Sequence, residues 1–384
     1  MQSINKKYDT ILVHGSKGCD PHTGAVSFPI YQSATFGHPG LNQTTGYDYS
    51  RLQNPTREEL ENTVARLENG TAGFAFSSGM SAISTILKVF SPGDHIIVSD
   101  DLYGGTYRLF EEIFRKYGLD FSYVDTGNID IVKDSIKKNT KGIFVETPSN
   151  PMMKVSDIKA LVDVTKSFGG LVVVDNTFLT PYYQRPLELG ADIVVHSGTK
   201  YLGGHNDTLA GFIVTNNDEL AERIKLIQKS TGAVLSPFDS WLILRGIKTL
   251  GIRVEKQQSN AMRISKWLSE HKMIEKVYYV GLPEHEGYEI SKRQASGFGS
   301  MISFRVKDVA LVERILNSVK VIIFAESLGG VESLITYPII QTHSAIPEEL
   351  RRKLGVNERL LRLSVGIEAV DDIIEDLNQA MGGE

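Results

Sequence analysis

Between residues 95 and 196 the chain repeats one pattern, a short apolar run followed by an amphipathic stretch. The runs are His95–Ser99, Phe121–Asp125, Gly142–Glu146, Leu171–Asp175 and Ala191–His196. The stretches between them, roughly 104–117, 128–138 and 156–168, carry apolar residues at helical spacing. Runs bounded by turn signals, with helices between, predict a mainly parallel sheet covered on both faces, an α/β architecture. In such sheets functional residues gather at the carboxyl ends of strands. Asp175 and Ser197–Lys200 stand at two such ends.

The flanking segments read differently. Gly15, Gly18, Pro21, Gly24, Pro29, Gly37, Pro39, Gly40 and Gly46 punctuate the first fifty or so residues, which predicts an extended arm that cannot hold its shape alone and wraps something else, another subunit being one candidate. Thr56 and Glu59 form a T-x-x-E capping box after Pro55, with Leu60, Val64 and Leu67 at helical spacing and Gly70 as a stop. A second helix is expected over 79–90. Leu209–Thr215 is strand-like, and helices are expected over 218–230 and about 238–271. The runs Lys276–Val280, Met301–Val306, Val321–Ala325 and Leu360–Val365, with helices near 308–317 and 371–381, predict a smaller α/β domain. The expected division is an arm over 1–50, a large domain over 51–235 and a small one over 236–384, which suits a chain of 384 residues.

Composition narrows the function classes. Lysine and arginine number 41 against 46 acidic residues, a formal charge of −5, and no long basic run offers a footprint for nucleic acid or an anionic membrane. Cys19 is the single cysteine, so neither an intrachain disulfide nor a thiolate metal cluster can form, and no metal site is expected. No apolar run approaches the ~20 residues that cross a bilayer. Met1–Lys7 lacks the apolar stretch of a signal peptide, so a cytoplasmic protein is expected. There is no Gly-Lys-Ser/Thr string. Gly297-Phe-Gly299 lacks the third glycine of a dinucleotide fingerprint and precedes a strand.

The stretch from Leu171 to Lys200 concentrates the chemistry. One apolar strand ends in Asp175; the next ends in Ser197-Gly-Thr199-Lys200. A lysine at a strand end inside a cleft suits Schiff-base chemistry, because desolvation and nearby positive charge make an amine nucleophilic. Pyridoxal phosphate would use every part: Lys200 to bind its aldehyde, Asp175 to hold the pyridine nitrogen's proton, Ser197 and Thr199 to meet its phosphate. An exposed lysine beside an ordinary turn is the competing reading. Gly79 and Met80 open a helix whose N–H groups could meet an anion, although a plain helix start would look the same. Tyr103, beside two glycines, could stack on a ring or simply pack. Arg362 lies within an apolar strand, where it binds either a substrate carboxylate or a structural acid.

The strings YDYSRLQNPTR, FSSGMSAI, DLYGGTYRLF, ETPSNP, VVDNTF, HSGTKYLGGH, AESLGGVESL and RLSVGIE, in order from residue 47 to 368, resemble the cysteine/methionine-metabolism group of pyridoxal-phosphate enzymes. That resemblance implies an aspartate-aminotransferase-like fold (fold type I) and a homotetramer built of catalytic dimers. By motif, Lys200 matches the cofactor-bearing lysine, Asp175 the acid at the pyridine nitrogen and Tyr103 the stacking tyrosine that also helps move protons. Gly79, Met80, Ser197 and Thr199 match the phosphate cradle. Tyr49 and Arg51 match the pair that reaches the neighbouring subunit's phosphate. Asn150, Ser327 and Arg362 match positions that hold the substrate carboxylate, and Arg108 and Glu326 match the substrate entrance.

The resemblance also frames the reaction, a trans-sulfuration step on a small amino acid. Methionine γ-lyases usually carry a cysteine where this chain has Gly105, and many cystathionine γ-lyases a glutamate where it has Thr336. The strings GTYRLFEEIFRKYG, SPFDSW and ITYPIIQTH resemble the γ-synthase and sulfhydrylase branch of low-GC Gram-positive bacteria. The expected activity is therefore γ-replacement on an O-acyl-L-homoserine by cysteine, giving cystathionine. A cystathionine β- or γ-lyase is the alternative, followed by a methionine γ-lyase or an O-acylhomoserine sulfhydrylase.

Overall fold

A computed structural model describes residues 7–383; the reading of residues 1–6, including their lack of a signal-type stretch, lies outside the described residues. Seven strands form the main sheet: β1 (Ala72–Phe76), β2 (His95–Ser99), β3 (Asp120–Val124), β4 (Thr140–Glu146), β5 (Leu171–Asp175), β6 (Ile193–Ser197) and β7 (Gly211–Thr215). Their order is β1-β7-β6-β5-β4-β2-β3. Strands β2 to β6 pair in parallel, while β7 runs antiparallel to both β6 and β1.

Alternation along each strand explains why the sheet must be sandwiched. Val173 and Phe144 point into one apolar cluster with Ile83, Ile86 and Phe110, whereas Val172, Val174, Ile143 and Val145 point into another with Ile158 and Leu161. With both faces apolar, helices must cover both. The arm's near end is tied down by the helix Pro55–Leu67, where Glu59 accepts from the Ser16 N–H at 2.8 Å and Thr56 accepts from the Tyr31 N–H at 2.9 Å.

The second sheet has the order β10-β11-β12-β9-β8, from β8 (Ile274–Tyr278), β9 (Met301–Val306), β10 (Ile323–Phe324), β11 (Leu334–Thr336) and β12 (Leu360–Ser364). Leu361 and Leu363 of β12 pack outward against the helices Leu250–Glu270, Ala310–Ser318 and Val370–Met381. The period of two therefore turns Leu360, Arg362 and Ser364 to the opposite face, toward the main sheet. That is how an arginine comes to lie in an apolar strand.

Several local expectations are corrected. The helix at 55 is capped by Asn54, whose side chain accepts from the Thr56 N–H at 3.0 Å and the Arg57 N–H at 3.4 Å. Thr56 and Glu59 instead bind the arm, so no capping box forms between them. The stretch 238–271 is two helices, Pro237–Ile247 and Leu250–Glu270, because the Thr249 N–H closes a tighter turn onto the Gly246 carbonyl. The stretch 104–117 is an α-helix only over Gly104–Leu109; it widens into a π-helix over Phe110–Phe114 and tightens into a 3-10 turn over Arg115–Tyr117. Strands β1 and β11 escaped the sequence reading, since AGFAF lacks β-branched residues and β11 has three residues.

Candidate active site

A cavity of about 350 Å³ opens where the carboxyl ends of β4, β5 and β6 face the inner side of β12. Asp175 and Ser197 end their strands on its floor, and Thr199 and Lys200 follow in the turn after β6. Gly79 and Met80 open the helix Gly79–Leu87 at one end, with Ser78 as N-cap accepting from the Ser81 N–H at 3.1 Å. The first N–H groups of a helix have no intrahelical partner and face whatever lies before it. Gly79 packs so tightly on β6 that a Cβ there would stand 3.0 Å from the Ser197 Cβ. Tyr103, 37% exposed, stands at the rim ahead of the helix Gly104–Leu109.

The second sheet supplies the opposite wall. Lys200 Nζ donates to Ser327 Oγ at 2.8 Å. Arg362 is fully buried and donates through Nη1 to Asn150 Oδ1 at 2.8 Å and through Nη2 to the Ser327 carbonyl at 3.0 Å and Thr336 Oγ1 at 3.2 Å. Among the described residues its Nε has no partner. A buried, unpaired guanidinium N–H beside a cavity is a ready site for an anion. Glu326 lines the same wall and is exposed.

Burial first, and then the Arg362 charge, lower the Lys200 amine to about 8, with Glu326 acting the other way. Burial also raises the Asp175 carboxyl above its usual range, opposed by hydrogen bonds from the Thr177 hydroxyl at 2.6 Å and its N–H at 3.0 Å. The Arg362 guanidinium is itself lowered to about 10 by burial.

The structure thus brings together Gly79, Met80, Tyr103, Asn150, Asp175, Ser197, Thr199, Lys200, Glu326, Ser327 and Arg362. The Thr199 hydroxyl is engaged by the backbone of Ala210, accepting from its N–H at 3.1 Å. Three expected residues are elsewhere. Arg108 is exposed and does not line the cavity. Tyr49, on the arm, and Arg51, just after it, lie outside the cavity, with the Arg51 guanidinium 5.5 Å from the Tyr49 ring and bonded to the Lys229 carbonyl at 2.6 Å.

Sequence reasoning missed Glu146, Thr177 and Thr342, all of which line the cavity. Glu146 Oε2 accepts the Tyr103 N–H at 3.0 Å. Its place at the end of a parallel strand, the criterion that picked out Asp175, was the available signal. A larger cleft of about 1000 Å³, lined by Lys154, Lys276, His285 and Glu286 among others, includes none of Lys200, Asp175 and Arg362.

These side chains fit a phosphorylated pyridine aldehyde. A helix N-terminus and small hydroxyl residues stand at one end, a partly deprotonated amine at the centre, a carboxyl on the floor and an aromatic ring at the rim. Comparison with known proteins points to the same cofactor. The family model described as "Cys/Met metabolism PLP-dependent enzyme" matches residues 9–382. The cystathionine beta-lyase of Lactococcus lactis subsp. lactis is 51% identical over 381 residues, covering 99% of this chain and 99% of the relative. The cystathionine gamma-synthase/O-acetylhomoserine (thiol)-lyase of Bacillus subtilis is 50% identical over 378 residues, covering 98% and 97%. Among solved structures, the cystathionine gamma-lyase from Lactobacillus plantarum complexed with L-serine superposes with a TM-score of 0.96 at 44% identity, covering 98% of this chain and 99% of that one. The fold is accordingly the fold type I arrangement of pyridoxal-phosphate enzymes, as the motifs implied.

Proposed function

Because the chain belongs to the Cys/Met metabolism family of PLP-dependent enzymes, we propose that it cleaves a C–S bond of L-cystathionine. The β-lyase and γ-lyase names carried by near-full-length relatives support cleavage ahead of the γ-replacement expected from sequence. The site reading is carried by the convergence of Lys200, Ser327 and Arg362: an amine lowered to about 8 beside a buried guanidinium with one N–H unpaired among the described residues.

Pyridoxal phosphate, when bound, supplies an electron sink for negative charge developing at the substrate's Cα. Lys200 would carry the cofactor and move protons at Cα. Asp175 would hold the proton on the pyridine nitrogen, and Tyr103 would cover the ring. Gly79, Met80 and Ser197 would hold the phosphate, with Thr199 beside them. Arg362, steadied by Asn150 and Ser327, takes the substrate's α-carboxylate through its free Nε, while Glu326 faces the distal end. Tyr49 and Arg51 serve the cavity of a neighbouring copy in a homotetramer, a reading supported by their exposure outside this chain's own cavity. The single cysteine suits a cytoplasmic setting.

The test is product identification by mass spectrometry on the holoenzyme. Cystathionine alone should release a keto acid and ammonia: pyruvate with homocysteine for Cβ cleavage, 2-oxobutyrate with cysteine for Cγ cleavage. The second reading, γ-replacement, has the Bacillus subtilis synthase relative in its favour. It wins if O-acetyl- or O-succinylhomoserine plus cysteine yields cystathionine while cystathionine alone stays intact.

A further inference from the structure

Glu146 and Asp175 end neighbouring parallel strands as direct register partners, and both side chains reach the cavity. Two adjacent carboxyl groups removed from water do not both ionise readily; one keeps a proton, and the surroundings choose which. Asp175 accepts two hydrogen bonds from Thr177, at 2.6 and 3.0 Å, and the His196 ring also favours its charged form. Glu146 is only 6% exposed and accepts the Tyr103 N–H, with Asp101 as a second acidic neighbour. Arg362, the cation that acts on it, gives Nη1 to Asn150 and Nη2 to Ser327 and Thr336.

We propose that Glu146 is the protonated member of this pair, a neutral carboxylic acid that leaves the negative charge on Asp175 and holds the backbone of Tyr103 at the rim. Burial, and after it the Asp175 charge, push the Glu146 carboxyl well above the usual range, in line with the geometry. Glu146 is then a positioning residue with two consequences. Asp175 stays free to hold the proton of a pyridine nitrogen, and the start of the helix Gly104–Leu109 is fixed, so the Tyr103 ring keeps its place. The inference rests on the proposed placement of the cofactor ring between Asp175 and Tyr103.

Infrared difference spectra of the holoprotein against Glu146→Gln at neutral pH test it. The expected result is a protonated-carboxyl C=O stretch in the wild type that the variant lacks, with the pH midpoint of the bound cofactor's absorbance moved by less than about one unit. Absence of that band, or a larger shift of the midpoint, means that Glu146 is ionised and overturns the proposal. Glu146→Ala leaves the Tyr103 N–H without its acceptor and should retain pyridoxal phosphate about tenfold more weakly than Glu146→Gln. Equal retention by the two variants removes the tether. Asp175→Asn separates the underlying reading: an unchanged cofactor spectrum there means that the placement itself has failed, whereas a changed spectrum with no wild-type band defeats only the present inference.

Discussion

Lys200 Nζ and Ser327 Oγ, 2.8 Å apart, join residues 127 positions distant in the chain and close the cavity between the two sheets. Ser327 also offers its carbonyl to Arg362 Nη2 at 3.0 Å, so one residue orients both the amine and the guanidinium. Its backbone sits at φ 100°, a conformation that L residues adopt only when neighbours impose it.

Removing that hydroxyl should therefore affect turnover more than cofactor retention. Ser327→Ala is expected to keep pyridoxal phosphate but to lower kcat/KM about tenfold, the scale of one hydrogen bond to a charged group. Steady-state kinetics beside a cofactor-to-protein absorbance ratio would check it. An unchanged kcat/KM would mean that the contact does not orient the amine.

The Lys200 amine, lowered to about 8, makes cofactor capture pH-dependent. Its neutral form is the nucleophile, so the rate at which apoprotein takes up pyridoxal phosphate should rise with pH, with a midpoint at about 8. Arg362 lowers this value and Glu326 raises it, so Arg362→Met should move the midpoint up and Glu326→Gln should move it down. Stopped-flow absorbance across the range measures both; midpoints that stay together would contradict the assignment.

Gly211 on β7 lets the Ser78 carbonyl approach its backbone, and a Cβ at that position would stand 2.1 Å from the Ser78 oxygen. Gly211→Ala must push the N-cap of the helix Gly79–Leu87 away from β7. The expected outcome is at least tenfold weaker retention of pyridoxal phosphate with the far-ultraviolet circular dichroism preserved. Equilibrium dialysis of the cofactor would show it, and unaltered retention would argue that the helix start does not hold the phosphate.

His343 is buried, accepts from the Thr342 hydroxyl at 2.7 Å and donates to the Asn150 carbonyl at 2.9 Å, and burial lowers it from 6.5 to about 4. Between those values the unfolded chain binds a proton that the folded protein refuses, so stability falls as pH drops through this window. At pH 5 the loss is on the order of 2 kcal/mol relative to neutrality. Urea unfolding at pH 7 and pH 5 should give a smaller difference for His343→Asn than for the wild type. An equal difference would place the acid sensitivity on other groups.

The main sheet apart from β1 was legible because its information is local. Leu171-Val-Val-Val is apolar at every position and β-branched at three, a pattern that with its flanking turn signals suits a strand covered on both faces, and Asp175 and Lys200 stand where such strands end. Helix boundaries were less legible, since Asn54 and Thr56 both have capping side chains and only the arm's approach to Thr56 decides between them. What tertiary structure alone decided is the far wall of the cavity. The period of two on β12 turns Arg362 inward only once Leu361 and Leu363 have a helical layer to pack on. Likewise Glu146 reads along the chain as one more polar strand end; its meaning comes from the direct pairing of β4 with β5, which sets it beside Asp175. Periodicity records which face of an element is buried, but not which element it is buried against, and the chemistry of this site lies in that second choice.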